Sequence, residues 1–269
     1  MTKDSPSLPV AIRAYHNDPA IKNALLARLD RHIELDELVA GKTGQGGRGC
    51  AVWCSLDAYD HSLFPKQLGI PVEIARLYDS IFEGLSARDS AQAGRQFGRD
   101  MHAAIVTGAD LSMVWPKVAL ALLTDEAFGV LRHVQDPRHS KQKAAIDHIA
   151  ELYRKWIAGT KPADSEFRNA RADAAYAADA AYAAYAAYAA AYAAYAADAA
   201  DAADAADAAD AAYAAYAADY AAATAATAAA TAAAAAAAYA AAATARKQFW
   251  RSLRDRLLAE LAAAPVGSA

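Results

Sequence analysis

The chain has 269 residues, a formal net charge of −4 and an apolar fraction of 56%, which its many alanines inflate. Bulky apolar residues lie almost entirely before residue 160 and after residue 248, so a core of about 150 residues is expected. Residues 172–245 carry a charge of −8 and the remainder carries +4, and the longest feature is acidic, which argues against nucleic-acid binding.

The compartment is predicted from the cysteines and from the first residues. Cys50 and Cys54 are too few for a disulfide scaffold, which favours a reducing environment. The start, MTKDSPSLPV, has no apolar signal region. Residues 221–245 are uncharged but lack Leu, Ile, Val and Phe, so no membrane span is expected. These features predict a cytoplasmic protein that does not bind membranes.

Helical spacing dominates residues 1–160. Asp18 and Pro19 begin a helix that ends at Gly41. Pro71 begins another that runs to about Glu83, and its apolar residues share one face: Ile74, Leu77, Tyr78 and Ile81. The stretch from Cys50 to Asp60 is expected to form a short helix or a turn, and longer helices are predicted over residues 87–106, 112–123 and 137–157. No alternating run predicts a strand. This region is therefore expected to be a helical-bundle domain.

Alanine defines the next part of the chain, which has no Pro or Gly from residue 163 to residue 264. Because alanine is the best helix former, one helix is predicted from about residue 164 to about residue 262, with a length of about 150 Å. The predicted fold class is all-α: a helical-bundle N-terminal domain followed by one very long alanine-rich helix. The predicted divisions are 1–160, the low-complexity helix 161–245, and a basic amphipathic end with a short tail, 246–269.

Two surfaces of this helix are candidate partner-binding sites. The tyrosine face is one broad face formed by Tyr182, Tyr185, Tyr188, Tyr192 and Tyr195. The C-terminal stripe is a narrow apolar line formed by Trp250, Leu253, Leu257 and Leu261. Each surface could pack on the N-terminal domain or contact another chain, in which Tyr is a favoured anchor. Expansion of a short DNA repeat would explain the regular spacing without any selected function.

A zinc site is the main candidate for chemistry. Cys50 and Cys54 are four residues apart, so on a helix both thiolates would share a face, and His61 and His32 could complete the ligand set. The alternative is that the cysteines are two buried, small apolar residues. A second arrangement would place His61, Glu83, Asp100 and His102 around an ion inside the bundle.

Other catalytic or ligand motifs are incomplete. Gly41-Lys42-Thr43 resembles the end of a phosphate-binding loop, but Asp36 occupies the position that requires glycine. No Ser/His/Asp order or paired carboxylate stands out. The threonines lack the eleven-residue repeat of helical antifreeze proteins. An enzyme is therefore not expected, and a metal ion, zinc or iron, is the one cofactor considered.

Two parts of the chain resemble known bacterial proteins. The run AAYAAYAAYAAAYAAYAADAAD, followed by ARKQFWRSLRDRLLAELAAAP, resembles the alanine- and tyrosine-rich tails of proteins labelled as immunity proteins. The elements GCAVWC, His61, LGIP, IFE and GADL resemble a bacterial family of unknown function. The first resemblance implies a cytoplasmic protein that binds and neutralises a toxin, and it assigns no site residues.

The sequence thus predicts a non-enzymatic helical protein that binds a protein partner or self-associates, with immunity to a toxin as one form of this function. A metal-binding helical domain and a helical spacer without a specific partner are the two alternatives.

Overall fold

The computed structural model describes residues 12–137, 140–163, 165–170, 174 and 235–266, and within 235–242 only the backbone. The helices are α1 Pro19–Glu34, α2 Ala51–Leu56, α3 Leu63–Leu68, α4 Val72–Arg88, α5 Ala91–Ala104, α6 Val114–Thr124, α7 Ser140–Ile157 and α8 Ala235–Ala262. The strands are β1 Thr43–Gln45 and β2 Arg48–Gly49, and short 3₁₀ turns lie at Ala14–Asn17 and Val130–His133. The predicted, mostly helical fold is confirmed. Among the described helices, none has the length and apolar character needed to cross a bilayer.

Polar side chains set the starts of two helices. Asp18 caps α1 by accepting a hydrogen bond of 2.8 Å from the backbone N–H of Ala20. Ser90 caps α5 in the same way, with 3.0 Å to the N–H of Ala93. The predicted end of α1 at Gly41 is wrong, because the helix stops at Glu34 and Asp36 adopts a left-handed conformation with φ 55°.

The expectation of no strands is wrong for one short hairpin. β1 and β2 pair antiparallel, and Gly46 and Gly47 form the turn between them with positive φ. Strands of three and two residues are too short to show an alternating pattern, so the sequence signal was confined to the glycines.

Helix α4 lies at the centre of the domain and contacts α2, α3, α5, α6 and α8. Its predicted inner face, Ile74, Leu77, Tyr78 and Ile81, is completely buried. A helix that is covered on several sides can hold polar groups away from water, and this position of α4 determines the site described below.

Both described ends of the alanine-rich segment pack into the core of the same domain. Phe167 is fully buried, and its ring lies 5.2 Å from that of Tyr153 in α7. At the other end, α8 contacts α4, α5 and α6. Gly84 of α4 lies so close to the indole of Trp250 that a Cβ there would overlap the ring. The core therefore extends beyond the segment predicted to contain it.

The C-terminal stripe lies inside this core. Trp250 is 4% exposed, and Leu253, Leu257 and Leu261 are fully buried. The predicted role of Trp250, Leu253 and Leu257 as contacts to a separate partner does not fit this placement, since their surfaces are already covered by the chain's own helices. The packing follows the other predicted choice, the N-terminal domain.

No single very long helix is shown by the described residues. The ends of a straight helix over residues 164–262 would lie about 150 Å apart, whereas Phe167 and Leu253 belong to one core cluster. Residues 171–173 and 175–234 lie outside the described residues, and the whole tyrosine face is among them: Tyr182, Tyr185, Tyr188, Tyr192 and Tyr195.

Candidate functional site

Three ligand-type side chains meet beside the central helix. Asp79 and Glu83 are one turn apart on α4, so their carboxylates share a face. Cys50 immediately precedes α2, which packs on α4. One ligand atom from each of these residues lies within 4.8 Å of the other two, and within the described ranges this is the one such group of three. We call Cys50, Asp79 and Glu83 the thiol–carboxylate cluster.

One carboxylate oxygen in the cluster has no partner. Asp79 is only 8% exposed. Its Oδ2 accepts a hydrogen bond of 3.1 Å from the hydroxyl of Tyr59 and lies 3.2 Å from Nε2 of His61. Its Oδ1 is buried and has no hydrogen-bond partner among the described residues. A buried acceptor left unpaired costs about 1–3 kcal/mol, and more when it is charged. The Cys50 thiol interacts with this carboxylate, but S–H is a weak donor, so a cation would stabilise the unpaired oxygen more strongly.

The second carboxylate is held by the backbone. The N–H of Gly41 donates to both Oε1 and Oε2 of Glu83, at 2.9 and 3.0 Å. Burial raises the pKa of Glu83, and the Asp79 carboxylate raises it further, while the Gly41 hydrogen bond lowers it. The cluster thus concentrates negative charge in a place with little water, which favours a positively charged ligand.

The thiol of the cluster is a poor nucleophile. Cys50 is 1% exposed. Burial raises the pKa of its thiol, and the neighbouring Asp79 carboxylate raises it further. Since the thiolate is the reactive form, this arrangement does not favour nucleophilic catalysis. Metal binding is different, because a coordinated thiol loses its proton to the ion.

The four predicted metal ligands are divided between two places. His61 shares Asp79 with Cys50. Cys54 instead donates to the carbonyl of Gly49, with an Sγ–O distance of 3.4 Å. Nδ1 of His32 lies 2.7 Å from Oε2 of Glu37, and the centroid of the His32 ring is 5.6 Å from that of Trp53. Cys54 and His32 therefore make contacts that are separate from the thiol–carboxylate cluster.

Asp79 was missed by the sequence argument, and Glu83 entered it only beside His61, Asp100 and His102. The available signal was the spacing of four residues between two carboxylates on a helix with an apolar inner face. That spacing is common on exposed helices, so only the burial of α4 distinguishes this pair. His102 lies elsewhere, fully buried and bonded to Tyr15 and Ser55.

The chain matches no family model, no curated protein and no solved structure. The function is therefore argued from the geometry of the site and from the sequence.

Proposed function

We propose that this protein is a metal-binding helical protein whose thiol–carboxylate cluster holds one zinc ion. The observation that carries the proposal is Oδ1 of Asp79, which is buried without a partner in the described part of the chain, beside Cys50 and Glu83. A cation among these groups would compensate both the unpaired oxygen and the clustered negative charge.

The ligand types select the class of metal. Zinc binds thiolate, imidazole and carboxylate ligands, whereas magnesium and calcium prefer oxygen alone. In this proposal Cys50, Asp79 and Glu83 are the ligands. Tyr59 and His61 bond the other oxygen of Asp79 and fix the orientation of its carboxylate, as outer partners of metal ligands generally do.

The test compares two matched cysteine variants of the full chain, Cys50→Ser and Cys54→Ser. Both thiols are buried and they lie four residues apart, but only Cys50 belongs to the cluster. After incubation with zinc and gel filtration, we expect about one zinc per chain for the unmodified protein and for Cys54→Ser, and little for Cys50→Ser. Circular dichroism checks that each variant is folded.

Cobalt gives a second readout of the same site. A Co²⁺–thiolate bond produces a charge-transfer absorption, which we expect in the unmodified protein and in Cys54→Ser but not in Cys50→Ser. The isosteric variant Asp79→Asn should weaken binding without changing the helix content. Substoichiometric zinc in the unmodified protein, or equal loss in both cysteine variants, would contradict this ligand set.

A second candidate function is protein interaction through the alanine-rich segment. It is favoured by the burial of the C-terminal stripe, which leaves the tyrosine face as the remaining predicted contact surface. In this proposal the segment is held at both ends by the domain. It binds a second copy of the chain or a toxin in the cytoplasm, as an immunity protein would.

The interaction proposal is tested by changing the five tyrosines of the tyrosine face to alanine, which keeps the length of the chain and does not lower its helix propensity. Light scattering after gel filtration should show an assembly larger than a monomer for the unmodified protein and a monomer for the variant. Identical masses at all concentrations would exclude self-association through this face.

A further inference from the structure

A glycine hairpin, residues 41–49, holds two of the three cluster residues through backbone groups. At one end, the N–H of Gly41 donates to both carboxylate oxygens of Glu83. Next to it, the carbonyl of Lys42 accepts a hydrogen bond of 2.7 Å from the N–H of Cys50. Neither bond requires a particular side chain at position 41 or 42, so the backbone path of the hairpin is what sets the distance between Glu83 and Cys50.

The same hairpin rests on the ring of Trp53. A Cβ added at Gly44 would overlap the indole, so the backbone lies directly against the ring. Gly46, at the turn, also has positive φ but has no atom within 4 Å of such a Cβ. Trp53 is therefore the surface that fixes the hairpin, and it is one turn along α2 from Cys50.

We infer that the glycine hairpin positions the proposed metal site and is thermodynamically coupled to it, so that zinc binding and hairpin seating on Trp53 stabilise each other. This inference rests on the proposed function. The two Glu83 oxygens have more lone pairs than the Gly41 N–H uses, so an ion can bind Glu83 while this N–H holds the carboxylate in place and ties the hairpin to α4. Linkage then requires that the factor by which zinc favours the seated hairpin equals the factor by which the seated hairpin increases the zinc affinity.

Two glycine variants of the full chain separate seating from strain. Gly44→Ala puts a methyl group into the Trp53 ring, whereas Gly46→Ala also places an alanine at positive φ but with no atom near its methyl group. Competition against a chromophoric zinc chelator should show that Gly44→Ala binds zinc at least about tenfold more weakly than the unmodified protein. A loss of this size is typical when an outer partner of a metal ligand is removed. Gly46→Ala should lie within about threefold of the unmodified protein.

The reciprocal measurement uses no hairpin variant, so it decides the inference even if Gly44→Ala misfolds. Zinc should change the tryptophan fluorescence of the unmodified protein, and Trp53→Phe should remove that change while the other tryptophans remain. Stoichiometric zinc binding with equal affinity in both glycine variants, or with unchanged Trp53 emission, would overturn the coupling and leave the metal site standing. Absence of zinc binding in the unmodified protein would instead refute the proposed function.

Discussion

The fully buried histidine of this domain shows how a polar core group is satisfied. Nε2 of His102 lies 3.3 Å from the hydroxyl oxygen of Ser55, whose own O–H donates to the carbonyl of Ala51. Nδ1 lies 3.2 Å from the hydroxyl of Tyr15. Burial, together with the charge of Lys22, lowers the pKa of His102 to about 3. The imidazole is therefore neutral in the folded protein, and both ring nitrogens have partners.

This neutral histidine predicts a loss of stability in acid. Unfolded His102 takes up a proton near its ordinary pKa of 6.5, whereas in the folded protein it does so only near 3. The unfolded state therefore binds more protons within this window, and the free energy of unfolding should decrease as pH falls through it. Urea unfolding at several pH values measures the slope.

The variant His102→Gln is the control for this slope. It should reduce the pH dependence relative to the unmodified protein, whatever its effect on stability at neutral pH. Part of the pH dependence should remain in this variant because burial also lowers the pKa of His133, to about 4. Equal slopes in the two proteins would show that His102 does not contribute in this way.

The two cysteines should be unreactive in the folded protein without metal. Burial raises the pKa of the Cys54 thiol to about 12, and burial also raises that of Cys50. With few thiolates and little access, neither should react with a chromogenic disulfide reagent at neutral pH, and both should react in urea. Rapid release of one equivalent of chromophore from the folded protein would contradict this prediction.

At the level of elements, α8 is the helix whose partners the sequence left open. Its apolar side packs on α4, α5 and α6. Its charged side forms ion pairs with Asp89, which lies between α4 and α5. Oδ2 of Asp89 accepts a hydrogen bond of 2.6 Å from Nε of Arg251, and its Oδ1 lies 2.7 Å from Nζ of Lys247. Because the side chains of Lys247 and Arg251 remain largely exposed, these ion pairs contribute little, and the buried leucines supply most of the attachment.

Neighbouring leucines of α8 provide a matched test of that attachment. Leu257 is fully buried, whereas Leu258 is only partly buried against the core. We expect Leu257→Ala to lower the free energy of unfolding by about 2–5 kcal/mol and Leu258→Ala to lower it by about 1 kcal/mol. Urea titrations measure both, and equal losses would mean that α8 is not seated as described.

At the level of the whole molecule, the fold depends on residues that the alanine-rich segment separates. Phe167 and Ala170, near the start of this segment, lie in the core, and so does Phe249, beyond its low-complexity part, with its ring 6.1 Å from that of Phe128. The domain is consequently built from both flanks of the segment, and the chain that joins these flanks need not itself contribute to the core.

Two deletions distinguish these parts. Removal of residues 181–230 should leave the thermal unfolding of the domain nearly unchanged. About 24 residues would still connect Ala174 to Phe249, and the free energy of loop closure depends only weakly on the length of a long connection. Truncation after Ala174 should destabilise the domain strongly, because the core loses Phe249 and the C-terminal stripe. Calorimetry compares the two, and equal stability of both chains would contradict the shared core.

The sequence by itself determined the helical class, the cap at Asp18 and the apolar face of α4, because these depend on local propensity and on a period of 3.6 residues. It also marked Cys50 and His61 as candidates for a metal site. Only the tertiary structure placed Asp79 and Glu83 beside Cys50, separated Cys54 and His32 from them, and covered the C-terminal stripe with the N-terminal domain. These outcomes depend on which helix faces meet, and contacts between residues far apart in the chain leave no periodic signal in either partner.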